Sequence, residues 1–171
     1  MVLSKILLAL GITALVLPVA SYAQLNTTPT KKVVLKSDPA KVQRGRYLVT
    51  ITGCNDCHTP GYAQTNGKVP EKQWLTGDML GWRGPWGTTY PTNLRLYFNG
   101  ISENEWVKIA RTFEPRPPMP WFSLREMQEQ DLRDMYHFIK SLGPAGEAVP
   151  VYVPPDREPK QPFVMFPMPP K

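Results

Sequence analysis

Cysteine and histidine are almost missing. Two cysteines, Cys54 and Cys57, and two histidines, His58 and His137, are all that 171 residues contain. Multiple disulfides are therefore excluded, and a structural zinc site built on paired Cys/His clusters lacks its second cluster. Acidic residues are also short, 14 against 20 Lys and Arg, for a net charge of +6. That excess is small and mixed with acids along the chain, so it favours acidic protein surfaces or anionic lipid heads and gives no case for nucleic acid. The apolar run at the N-terminus, Ile6 to Ala20, is shorter than the roughly 18 residues of a membrane span and carries Pro18 near its end. No internal repeat is present.

That run belongs to "MVLSKILLALGITALVLPVASYAQ". Lys5, the apolar stretch and the small-x-small pattern Ser21-Tyr22-Ala23 are the parts of a secretory signal, with cleavage expected after Ala23. An uncleaved N-terminal anchor is the alternative, and membrane contact is expected only in that case. Either way the chain leaves the cytoplasm for the periplasm or beyond, where disulfides can persist. Cleavage removes one positive charge, Lys5, and leaves about +5 of the +6.

Residues 24–37 are polar and featureless and read as a flexible N-terminal segment. Residues 144–171 hold nine prolines in 28 residues, which excludes a helix or an inner strand and predicts an extended tail. Between them, 38–143 is long enough for one small core. Three helices are expected there. Asp38 caps the first, with Pro39 at its first position and Val42, Gly45 and Val49 on one face, and it should end near Gly53. Ser102 and Glu105 form a capping box for the second, whose buried side is Trp106, Ile109, Ala110 and Phe113. The third buries Leu132, Met135, Tyr136, Ile139 and Leu142 and stops at Gly143-Pro144. The stretch from Thr59 to Gly100 shows no sustained period, and so long a loop is hard to reconcile with a compact domain unless it wraps something other than protein. The block also carries ten large aromatics between Trp74 and Phe122, more flat apolar surface than three short helices can cover. A planar apolar cofactor would supply the missing packing partner.

"GCNDCHTP" (53–60) allows four readings. A Cys54–Cys57 disulfide closes too short a loop to stabilise much. A thiol redox pair lacks the βαβ surroundings of its motif. Zinc would find three ligands here and need His137 or an acid as the fourth. The reading preferred is C-x-x-C-H as a c-type haem attachment site. Its thiols bond to the two vinyl groups of one haem, and the imidazole of His58 becomes an axial ligand. For the other axial position the candidate is Met119 in "EPRPPMPWFSL", where flanking prolines stiffen the backbone and present a soft thioether. Met79 is its rival, since Met135 belongs to the core stripe and the remaining methionines fall in the leader, at Met127 or in the tail.

From Asp38 to Gly143, through "RGRYLVTITGCNDCHTP", "YPTNL", "PPMPW" and "DLRDMYHFIKSL", the chain resembles the class I monohaem c-type cytochromes. It looks most like bacterial periplasmic cytochromes and the cytochrome domains of dehydrogenase subunits. The resemblance implies a small all-α fold of three or more helices around one covalent haem c. Cys54 and Cys57 are then the thioether anchors, His58 the proximal ligand and Met119 the distal one. It also implies a crossing of first and last helices with Gly45 facing Tyr136, and a haem-side position for "TNL" (92–94), whose usual continuation is replaced by Arg95-Leu96. The tail has no counterpart. Function would be one-electron transfer with no catalysis of its own, as a shuttle or as a redox-complex subunit. Partners would lie outside the cytoplasm, such as a dehydrogenase or a terminal oxidase. The alternative is a haem enzyme or gas sensor with an open sixth site. Trp74, Arg83 and Tyr90 are candidate donors to haem propionates, and His137 reads as a solvated surface residue on the third helix.

Overall fold

Asp38 opens the first helix as its position before a proline suggests. Its carboxylate accepts from the Ala40 amide at 2.9 Å, and α1 runs Pro39–Ile51. The computed structural model describes residues 38–167, so the expected leader (1–23), the segment 24–37 and the last residues of the tail lie outside the described residues. Among the described residues there are six α-helices and a three-stranded sheet. After α1 come α2 (Cys54–His58), β1 (Gly81–Gly84), β2 (Gly87–Thr89), α3 (Leu94–Asn99), α4 (Glu103–Thr112), α5 (Trp121–Glu126), α6 (Glu129–Leu142) and β3 (Phe163–Met165). None of these helices is long and apolar enough to cross a membrane.

The core forms where α1 and α6 cross. Gly45 makes the crossing possible, because a Cβ there would overlap the Asp134 carbonyl and come within 2.8 Å of Phe138 Cβ. The expected partner, Tyr136, turns elsewhere. Its ring packs on Phe98, and its hydroxyl donates to the Ile101 carbonyl at 3.1 Å. Arg44 bonds Asp131 across the same crossing. Val49, Leu132, Met135, Phe138 and Ile139 are buried with Trp74, Phe98 and Trp106 around them.

The Ser102–Glu105 capping box is present and starts α4 as its sequence requires. Phe113, expected on the buried side, is exposed. The helix ends at Thr112, and Phe113 takes extended backbone (φ −82°, ψ 138°), which carries its ring off the apolar stripe. His137 is also not the solvated residue expected. Its side chain is 13 % exposed, with Nε2 3.5 Å from the Glu103 carboxylate at the start of α4.

The long stretch 59–100 is not irregular throughout. It contains a hairpin of β1 and β2, joined at Pro85-Trp86, and the short α3. Periodicity cannot reveal strands of three or four residues. Arg95, which breaks the family's usual sequence after "TNL", is buried. Its guanidinium donates to the carbonyls of Lys72, Trp74, Leu142 and Gly143, and so satisfies the open C-terminal end of α6. The described part of the tail, 144–167, holds no helix and returns to the domain. β3 adds in parallel to β1 at the edge of the sheet in the order β2-β1-β3, and Thr88 and Val153 form a bridge. An edge position is the one a proline-rich segment can occupy.

Candidate haem-attachment site

Cys54 and Cys57 lie three residues apart on the single short helix α2, and residues so spaced share one face. Gly53, at φ +71°, makes the turn from α1 that brings this face round. Both thiols are free. Burial pushes both thiols up from the ordinary cysteine value, and the negative charge of Asp56 adds to that rise. They are therefore neutral thiols, without the low pKa that marks redox-active pairs.

Two buried side chains lock this turn to the rest of the chain. Thr59 Oγ1 donates to Asn55 Oδ1 at 2.7 Å and accepts from the Leu75 amide at 2.8 Å. All three residues are buried, and Leu75 holds a left-handed φ of 61°. The Gly77 amide also donates to the His58 carbonyl at 2.9 Å.

His58 Nδ1 lies 2.7 Å from the Thr92 carbonyl. A carbonyl can only accept, so Nδ1 carries the proton and Nε2 keeps its lone pair. Desolvation lowers the His58 pKa and outweighs the Thr92 hydrogen bond, which raises it. The ring is thus neutral at pH 7 with a defined tautomer, as metal ligation requires.

Met119 stands on a separate segment, the loop 113–120 between α4 and α5, and is half-buried. The base of that loop is tied by Arg111, which donates to the carbonyls of Arg125 and Met127, and by an Arg125–Glu114 ion pair at 3.1 Å. Its rival Met79 is 48 % exposed, and Met135 is buried in the core. Two of the expected propionate donors are committed elsewhere. The Trp74 indole donates to the Val69 carbonyl at 2.8 Å, and Arg83 reaches the carbonyls of Pro155 and Arg157 and the Glu158 carboxylate. Tyr90 is half-buried.

A zinc site finds no support in this geometry. Among the described residues no three His, Cys, Asp or Glu side chains are placed to hold a metal ion together. The donor set suits a haem better: two reduced thiols on one helical face, followed at once by a neutral imidazole with Nε2 open. The family model for cytochrome c matches residues 42–143. The chain belongs to the cytochrome c family. Comparison with curated proteins and with solved structures gave no significant match. Family membership implies covalently bound haem c and electron transfer, and the mostly helical fold agrees with it.

Sequence reasoning missed two contributors to this cytochrome's site. The Thr92 carbonyl is a backbone group with no residue signature, although "TNL" marked its segment. The Asn55–Thr59–Leu75 chain joins residues far apart in sequence.

Proposed function

We propose that the protein carries one electron at a time outside the cytoplasm, through a single haem c. Cys54 and Cys57 would hold the group as thioethers, with His58 and Met119 as its axial ligands. The observation that carries this reading is the His58–Thr92 hydrogen bond of 2.7 Å, because it puts the proton on Nδ1 and leaves the Nε2 lone pair available as a ligand. When bound, the haem supplies an iron that gains or loses one electron without breaking bonds.

The chain's own residues set the conditions for that exchange. Thr92 makes the imidazole of His58 a stronger electron-pair donor by accepting a hydrogen bond from its Nδ1–H. The Asn55–Thr59–Leu75 chain keeps the attachment turn from shifting between redox states. A thioether from Met119 favours the reduced form and raises the potential, and two axial protein ligands leave no position for substrate. This is electron carriage without catalysis of its own. The net charge of +6, or about +5 without the leader, favours docking on acidic faces of redox proteins such as a dehydrogenase or terminal oxidase. A free shuttle and a subunit of a redox complex use the same chemistry. The leader-like residues 1–23 support export.

The decisive experiment is the visible spectrum of the air-oxidised protein, exported in a host with c-type maturation. A c-type spectrum with the weak far-red band of sulfur-to-iron charge transfer, lost in Met119→Ala, supports the His/Met carrier. A c-type spectrum without that band removes Met119 from the iron and favours a ligand-binding or enzymatic haem. Absence of haem overturns the proposal.

A further inference from the structure

The segment beyond Gly143 lies outside the family match, yet it contacts Asn93, next to the residue that hydrogen-bonds His58, and Arg116 of the loop that carries Met119. Near its start, Asn93 Nδ2 donates to the carbonyls of Ala145 at 2.8 Å and Glu147 at 3.1 Å. Asn93 follows Thr92, whose carbonyl accepts from His58 Nδ1–H.

Farther along, Val153 and Thr88 exchange backbone hydrogen bonds of 2.7 and 3.0 Å, and Tyr152 Oη donates to the Trp86 carbonyl at 2.7 Å. Gly87 makes room for this approach, since a Cβ there would meet the Tyr152 ring at 2.8 Å. The ring of Tyr152 also meets the Met119 loop. The Arg116 guanidinium lies over its ring, 3.9 Å from the centroid. The next residue is held as well: Thr89 Oγ1 donates to the Pro117 carbonyl at 2.7 Å. Pro115, Pro117, Pro118 and Pro120 have no backbone N–H, so side chains and carbonyls must anchor this loop. Beyond Tyr152 the segment is fastened again by Arg83, by β3 on β1, and by Phe166 against Trp82 and Trp86.

We infer that Tyr152 is a positioning residue for Met119, and that the strap from Ala145 to Phe166 clamps the 115–120 loop against β2 so that an outside ligand cannot easily displace the thioether. The inference rests on the reading of Met119 as axial ligand. Its stacking and hydrogen-bond contacts oppose any opening of the loop, so their loss reads directly as easier displacement.

The test titrates the full-length ferric holoprotein with imidazole and follows the visible spectrum. Tyr152→Ala should bind imidazole about tenfold more tightly than the wild type, the scale expected for losing one stacked cation and one hydrogen bond. Its reduced c-type spectrum and helical circular dichroism should be unchanged. Arg116→Ala, at an exposed position, should shift binding in the same direction and carries the same test if Tyr152→Ala folds poorly. The double variant should hold the loop no less firmly than Tyr152→Ala alone, because Arg116→Ala removes only the stacking that Tyr152→Ala has already lost. Imidazole affinity within twofold of wild type in both single variants overturns the inference, and so do fully additive effects, which would reduce Tyr152 to a general stabiliser. If Met119→Ala leaves both the imidazole affinity and the far-red region as in the wild type, the ligand reading fails and this inference falls with it.

Discussion

At His58 the position of one proton decides what the ring can do. With Nδ1–H given to Thr92, the imidazole is neutral, oriented and open at Nε2. Its neighbours Asn55, Thr59 and Leu75 form the other decisive group, a chain of hydrogen bonds in which each residue is at most 1 % exposed. Thr59→Val keeps the shape but strands the Leu75 amide and the Asn55 carbonyl oxygen away from water. It should cost about 2–6 kcal/mol, at about 1–3 kcal/mol for each of the two buried groups left unpaired. Denaturant unfolding of the holoprotein would measure this, and a loss under about 0.5 kcal/mol, well below one such group, would refute the role assigned to Thr59.

Among the elements, α4 shows best how a local rule acts through a single charge. The Glu105 carboxylate accepts from the Ser102 amide and hydroxyl at 2.7 Å, and these bonds hold its pKa below the ordinary glutamate value. A carboxyl lowered on folding adds stability above its unfolded pKa and loses it as pH falls through the folded value. Melting temperatures of wild type and Glu105→Gln should therefore differ most near neutrality and converge in acid below about pH 4, under the unfolded glutamate value. A difference that remains unchanged well below that pH would assign the effect to packing instead. The cap, the stripe and the Gly143-Pro144 stop were legible because each is a relation within a few residues. Phe113 was misread for the same reason: the stripe continued in sequence, but the helix ended one residue earlier.

Across the whole molecule, the α1–α6 crossing holds together parts of the chain nearly ninety residues apart (Arg44 and Asp131 are separated by 87). Gly45→Ala inserts a methyl group where the Asp134 carbonyl and Phe138 Cβ already stand. The helices must separate, and a loss of about 3 kcal/mol is expected from such overpacking. Thermal unfolding of the variant checks it, and an unchanged midpoint would mean that the crossing is looser than it looks. At the same scale the tail closes over the hairpin and reaches the Met119 loop, which makes it part of the domain.

The sequence by itself determined the attachment motif, the three main helices and the helix-free character of the described tail. Thiol spacing, caps and proline's missing donor act over a few bonds and need no partner to be read. Only the tertiary structure decided which proton His58 keeps, what Arg95 and Arg83 bind, and where the tail lies. Those depend on backbone carbonyls at Thr92, Leu142, Gly143, Pro155 and Arg157. Every residue has such a carbonyl, so its role becomes visible only when folding brings a particular donor to it.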